Sequence, residues 1–237
     1  MVAGTEKAFG FRIPLARYAR REEILYAGIP LVLSAALLAA WGAGAPAILG
    51  VIGLLGTAAS VAVASFFRDP ARMAPPGEER VVSPADGKVV AIREVEGDPF
   101  IGERGIEIDI FLSIFDVHVN RSPIAGVVDG TEYEAGAYLS ALRAEAGQRN
   151  ERNTVRIRGE SARAVVRQIA GAIARRIVCA CRPGEGLRRG ERFGMIKFGS
   201  RTQVILPGSI FQPAVRVGDR VKAGSSVIGT LRKGESS

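Results

Sequence analysis

Hydrophobic and polar positions divide this chain into two unlike stretches. From Ile24 to Phe67 there is no Asp, Glu, Lys, Arg or His. A helix needs about 20 apolar residues to cross the hydrocarbon core of a bilayer. Two runs approach or reach that length, Ile24–Trp41 and Ala47–Phe67, and Gly42-Ala43-Gly44-Ala45-Pro46 separates them. Gly and Pro punctuation of this kind ends one helix and starts the next. The pattern therefore predicts a hydrophobic helical hairpin over residues 24–67. Tyr26 and Trp41 fall where interfacial aromatics are favoured, and Pro30 lies in the first turns of its helix, where a missing N–H matters least.

After Phe67 the texture changes. Residues 68–80, with Asp69-Pro70 and Pro75-Pro76-Gly77, have neither a helical nor a strand period and read as a linker. Residues 81–237 read as a β-rich domain of short strands and turns. Arg80–Val82 and Lys88–Glu94 flank Pro84-Ala85-Asp86-Gly87, a hairpin-type turn. Further strands are expected over Ile106–Ser113, His118–Asn120, Gly126–Tyr133, Asn153–Gly159, Ala164–Ile169, Arg175–Cys181, Met195–Phe198, Gln203–Leu206 and Val227–Arg232, and a short helix over Ala135–Ala146. Val215–Gly224 with Val227-Ile228-Gly229, and Ser83–Val89, resemble the turn-and-strand pattern of biotinyl/lipoyl hammerhead domains. The lysine-bearing attachment hairpin of those domains is missing, so the resemblance implies a fold element and no carrier activity. Ordinary hairpin turns would place the same glycines. The expected fold is a mainly β soluble domain, barrel- or sandwich-like with hammerhead elements, preceded by an N-terminal hydrophobic helical hairpin.

The net charge of +8 asks for an anionic partner. No helix-turn-helix, zinc-finger or aromatic RNA-binding pattern accompanies it, which argues against nucleic acid. Basic residues instead flank the apolar block: Lys7, Arg12, Arg17, Arg20 and Arg21 in the basic segment 1–23, and Arg68, Arg72 and Arg80 after it. Such residues gain about 1 kcal/mol each near an anionic lipid surface. Positive flanks around an uncharged loop place both ends of the hairpin in the cytoplasm. The expectation is a cell-membrane protein with its β domain on the cytoplasmic side. A signal peptide is excluded by the length and doubling of the block. A buried pair of core helices and a shallow re-entrant hairpin remain the competing readings.

Few residues offer reactive chemistry. Cys179 and Cys181 give no disulfide framework, and with one histidine in the chain they lack the company a zinc site needs; both read as small core or near-core residues. That single histidine, His118, excludes metallopeptidases, which need several, and leaves mechanisms that use one imidazole as a general base. Taken alone, Asp86 is a turn former, and Ser200, after Gly199, is a tight turn between two strands.

Taken together, Ser83-Pro84-Ala85-Asp86-Gly87, Asp116-Val117-His118-Val119-Asn120-Arg121 and Gly194-Met195-Ile196-Lys197-Phe198-Gly199-Ser200-Arg201 resemble, in order and approximate spacing, the motifs of phosphatidylserine decarboxylases. The resemblance runs from about Phe66 to Leu231. Where longer members carry Leu-Gly-Ser-Thr, this chain has Phe198-Gly199-Ser200-Arg201, which is similar to the short bacterial and archaeal subgroup.

The resemblance implies a self-processing precursor. His118 would take the Ser200 proton, Asp86 would orient the imidazolium, and Ser200 would attack the Gly199 carbonyl to give an ester. Elimination and hydrolysis would then leave a chain ending at Gly199 and a chain from 200 to 237 headed by a pyruvoyl group made from Ser200. The family uses that covalent cofactor, through a Schiff base with the substrate amine, to convert phosphatidylserine to phosphatidylethanolamine and CO₂ without metal. The implied partners are phosphatidylserine, an anionic membrane surface and the two fragments of one precursor, with homo-oligomerisation left open. Arg68, Arg72 and Arg201 are candidate phosphate or carboxylate contacts by charge. Two alternatives remain: a non-enzymatic, membrane-anchored hammerhead adaptor, and a decarboxylase of archaetidylserine.

Overall fold

The computed structural model describes residues 16, 18–96, 98–141, 143, 145–172, 176–197 and 200–232. The chain divides into two compact units, Met1–Ala71 and Arg72–Ser237. Lys7, Arg12 and Arg17 of the basic segment lie outside the described residues.

In the first unit, α1 (Arg20–Gly42) and α2 (Ala47–Phe66) pack on each other as the expected hairpin. Helix α1 begins ahead of Ile24 and is π-helical over Ile24–Gly28, the turn just before Pro30. Proline withdraws a donor from the helical ladder, and a wide turn beside it is one way the ladder adjusts. Small residues let the two helices approach closely: a Cβ on Gly50 would come within 2.4 Å of the Trp41 ring. Leu33, Leu55 and Val61 are exposed, so the outward surfaces are as apolar as the packed ones. Both helices are long and apolar enough to cross a membrane.

The second unit is mainly β. Its strands are β1 (Arg80–Val82), β2 (Gly87–Val95), β3 (Gly105–Leu112), β4 (Val119–Arg121), β5 (Gly126–Glu134), β6 (Arg152–Arg158) and β7 (Arg163–Ile169). They are followed by β8 (Arg176–Cys179), β9 (Gly186–Leu187), β10 (Arg192–Lys197), β11 (Ser200–Pro207), β12 (Phe211–Pro213), β13 (Arg220–Val221) and β14 (Val227–Leu231). Eight strands form an antiparallel sheet in the order β13-β2-β3-β11-β7-β6-β5-β9, and two three-stranded sheets run β1-β14-β12 and β4-β10-β8. One apolar core joins all three, with Ile108, Ile110 and Val204 of the large sheet, Phe193 of β10, and Val81, Phe211 and Ile228 of the third. This is the sandwich-like β architecture the sequence predicts. The two hammerhead-like segments meet directly, β13 pairing with the start of β2 at Arg220↔Lys88 and Val221↔Gly87.

Alternation along the central strands decides what faces the core. On β3, Ile108, Ile110 and Leu112 point inward, while Glu107 and Asp109 carry the opposite parity. On β11, Val204 and Leu206 point inward, so Ser200 and Thr202 share the inner face and Arg201 and Gln203 the outer one. The outer face carries an ion-pair network: Arg93 reaches Glu107 at 2.6 Å and Asp109 at 3.0 Å. Burial, with the Asp109 charge beside it, pushes the Glu107 carboxyl up despite the Arg93 pairing.

The helix expected over Ala135–Ala146 does not form; the helical turn α3 lies later, at Ala146–Arg149. The reason is local. Asn150 accepts the Leu139 N–H at 2.9 Å and donates to the carbonyls of Leu139 and Ala170, each at 2.8 Å. Those side-chain bonds hold the preceding segment in an irregular loop. Strand ends also shift by a residue or two; β1 starts inside the predicted linker, and residues 175 and 198, expected at strand ends, lie outside the described residues.

Candidate active site

Ser200 opens β11 opposite Leu112, the last residue of β3. It is fully buried, and its Oγ has no hydrogen-bond partner among the described residues. Leaving a buried hydroxyl unsatisfied costs about 1–3 kcal/mol. Such groups call for an explanation, and a reactive role is one. Gly199, expected on the other side of the cleaved bond, lies outside the described residues.

His118 is also fully buried. Its Nδ1 lies 2.9 Å from the Asp116 carbonyl oxygen. A carbonyl only accepts, so Nδ1 carries the proton in this contact, and Nε2 is the ring nitrogen left to act as a base. The Asp116 side chain closes a tight turn, its Oδ2 accepting from the Ser113 N–H at 2.8 Å and the Ser113 hydroxyl at 2.7 Å.

Two contacts bracket Ser200 against the His118 segment. Ile196 donates its N–H to the His118 carbonyl at 3.1 Å. Asn120 donates through Nδ2 to Thr202 Oγ1 at 3.1 Å. Ser200 lies between Ile196 and Thr202 in the chain, and both anchors fall on residues 118–120. Residues 118–120 thus contact the chain on either side of Ser200.

Asp86 comes to the same neighbourhood through its turn and not through its carboxylate. The Pro84 carbonyl accepts the Arg121 N–H at 3.0 Å and Asn120 Nδ2 at 3.4 Å, which pins the turn to β4. Gly87 lets the end of the same turn close on β3: its φ is +145°, and a Cβ there would lie 2.1 Å from the Phe111 carbonyl oxygen. The Asp86 carboxylate itself is held by Arg72, with Nη2 at 2.7 Å from Oδ2 and Nη1 bonded to Oδ1, and by the Ala223 N–H at 2.8 Å. The bonds of the Asp86 carboxylate thus run to Arg72 and Ala223, while the Asp116 carbonyl stands at His118 Nδ1.

Two charge-based expectations are corrected. Arg72 is engaged by Asp86. Arg201 is buried, with its guanidinium bonded to Asp109 Oδ2 at 3.2 Å and to the carbonyls of Ala141 and Arg143 at 2.9 and 3.0 Å. Neither is available to a lipid headgroup. Arg68 bonds the Ser65 carbonyl at 2.8 Å.

Sequence reasoning missed a buried amide chain behind the site. Asn153 donates to Gln168 Oε1 at 3.0 Å, Gln168 donates to Asn120 Oδ1 at 2.9 Å, and Asn120 continues to Thr202. Polar residues at strand positions that alternation turns inward were the available signal. A cleft of about 290 Å³, lined by Phe111, Leu112, Ser113 and Ile114 with Ser140 and Ala141 among its other walls, lies beside the β3 end that pairs with Ser200.

The cysteines sit apart in role. Cys181 is buried, Cys179 half-buried, and their Sγ atoms are 3.5 Å apart. Among the described residues no three His, Cys, Asp or Glu side chains gather as a metal site.

A sequence profile of phosphatidylserine decarboxylase matches residues 60–229. The phosphatidylserine decarboxylase proenzyme of Symbiobacterium thermophilum is 50% identical over 167 residues, covering 70% of this chain and 77% of that protein. Proenzymes of the same description from Carboxydothermus hydrogenoformans and Paraburkholderia phymatum are 42% and 46% identical, covering 76% and 71% of this chain and 85% and 79% of theirs.

Proposed function

Because this chain belongs to the phosphatidylserine decarboxylase family, we propose that it is a precursor that cuts itself between Gly199 and Ser200 and then converts phosphatidylserine to phosphatidylethanolamine and CO₂. The observation that carries the reading is the buried Ser200 hydroxyl on the inner face of β11, without a partner among the described residues and bracketed by two bonds to the His118 segment.

His118 takes the proton of the Ser200 hydroxyl at Nε2, the ring held by its Nδ1–H bond to the Asp116 carbonyl. The oxygen attacks the Gly199 carbonyl carbon, and the Gly199–Ser200 C–N bond breaks as the ester forms. Removal of the Ser200 α-proton then expels the upstream carboxylate. Hydrolysis of the resulting dehydroalanine releases ammonia and leaves a pyruvoyl group on residue 200. Asp86 is assigned as a positioning residue: paired with Arg72 and Ala223, it fixes the turn whose Pro84 carbonyl supports residues 120 and 121.

The pyruvoyl group supplies an electron sink for the pair released when CO₂ leaves the amine-bearing carbon. The chain's own contribution is to exclude water, since residues 118, 200 and 202 are fully buried, and to offer His118 for proton transfer near neutral pH.

Cleavage need not separate the fragments. Strand β11 lies between β3 and β7, and β14 between β1 and β12, so the small fragment stays in the ladders of the large one. The hairpin anchors the enzyme in a membrane that holds its substrate, with the β domain on the cytoplasmic side because both flanks are positive and the loop between the helices is uncharged. The test is release of labelled CO₂ from phosphatidylserine carrying label in the serine carboxyl. Wild-type protein should release it, and phenylhydrazine, which captures reactive carbonyls, should stop it. No release by folded, cleaved protein would contradict the assignment.

A further inference from the structure

The turn between β3 and β4 carries a feature the reaction does not require. Asp116 donates its N–H to the Ser113 carbonyl at 3.0 Å while its carboxylate caps Ser113. Ile114 and Phe115 occupy the two central positions of this locked turn, 46% and 79% exposed. Ile114 also lines the apolar cleft beside Ser200. Two adjacent large apolar side chains at a rigid tip, continuous with an apolar cleft, differ from the isolated exposed residue found on any surface.

The surroundings of the tip are cationic. Arg220 lies 3.6 Å from Asp116 and pairs across the ladder with Lys88, which in turn pairs with Phe111. Both cations are exposed, as is Arg143 next to the opposite wall of the cleft. An apolar tip flanked by Arg220 and Lys88 matches an anionic bilayer interface, where the apolar side chains enter below the headgroups and the cations stay among the phosphates. A second copy of this chain, itself at +8, matches it poorly.

We propose that Ile114 and Phe115 form a lipid-docking tip that inserts into the anionic membrane surface and seats the mouth of the cleft at headgroup level. The proposal rests on phosphatidylserine being the substrate. The tip is tied to the chemistry through one residue: Asp116 closes the turn with its side chain and holds His118 Nδ1 with its carbonyl. Docking therefore positions the imidazole relative to the lipid without a flexible linker.

The test uses the full chain in proteoliposomes of phosphatidylcholine and phosphatidylglycerol, with the native tryptophan removed by Trp41→Phe. Phe115→Trp should show blue-shifted emission and quenching by brominated acyl chains. Tyr133→Trp, placed at an exposed position on β5, should show neither. In parallel, Phe115→Ser should raise the phosphatidylserine content needed for half-maximal rate in vesicles by about tenfold. Emission from position 115 that is water-like and quenched by iodide would overturn the proposal. Emission shielded from both iodide and brominated lipid would overturn it in favour of a protein contact. Wild-type decarboxylation of dispersed short-chain phosphatidylserine separates the two levels: if it proceeds while the tip stays in water, docking fails and the enzymatic reading stands.

Discussion

Asn120 and Thr202 are joined by a 3.1 Å hydrogen bond between buried side chains, and each lies two residues beyond a proposed catalytic residue, His118 and Ser200. The bond crosses between the small β4-β10-β8 sheet and the eight-stranded sheet. It therefore ties the strand that carries the proposed nucleophile to the segment that carries the proposed base.

Asn120→Ala removes that tie, taking one acceptor from Gln168 Nε2 and the Asn120 donor from Thr202 Oγ1. The expected loss is about 1–3 kcal/mol of stability, read from urea denaturation of the uncleaved Ser200→Ala background. Maturation in the otherwise wild-type chain should slow at the same time, seen as persistent precursor on denaturing gels. An unchanged cleavage rate would remove Asn120 from the positioning of Ser200.

Asp86 and Arg72 form a largely buried pair, their side chains 11% and 10% exposed. Asp86→Asn leaves the guanidinium without its counter-charge and should destabilise the domain by about 3 kcal/mol. The double variant Asp86→Asn with Arg72→Met removes the stranded charge and should recover much of that stability together with self-cleavage. A stable but uncleaved double variant would instead give Asp86 a direct part in the proton transfer.

Arg201→Met should act on stability rather than on lipid recognition. It strands Asp109, which Arg93 then holds alone, and releases the Ala141 and Arg143 carbonyls. A loss of about 3 kcal/mol is expected, with the apparent KM for phosphatidylserine unchanged in the folded fraction. A raised KM at unaltered stability would return Arg201 to the headgroup.

The 3.5 Å contact with the Cys181 sulfur pulls the Cys179 thiol down to about 7. The Cys181 thiol is pushed up by the same contact and by burial. A lowered thiol pKa means more thiolate at neutral pH. Iodoacetamide labelling of Cys179, followed by peptide mass spectrometry, should rise through neutral pH, and Cys181 should stay unlabelled. Cys181→Ala should move the profile toward the ordinary thiol range. Labelling that begins only at alkaline pH in both proteins would contradict the pairing.

The sequence made the hairpin legible because charge is absent from 24–67 and Gly/Pro residues break the block; both helices follow from composition alone. Most strands were legible through alternation and turn residues. The loop over 135–145 was not, because its conformation depends on Asn150, whose partners Leu139 and Ala170 meet only in the folded chain. The candidate site was legible as three motifs. Their mutual arrangement was not, since spacing says nothing of the Arg72 guanidinium that occupies Asp86 or of the Asp116 carbonyl at His118 Nδ1. Charge misread Arg72 and Arg201 for a related reason: a guanidinium has the same sequence signature whether it meets a lipid or a buried carboxylate.

The central claim is self-cleavage at Ser200, and intact mass under denaturing, reducing conditions tests it most directly. Wild-type protein should give a fragment ending at Gly199 and a partner fragment whose mass matches residues 200–237 with the serine residue converted to pyruvoyl, while Ser200→Ala stays whole. A folded, membrane-inserted wild-type chain that also stays whole would contradict the account.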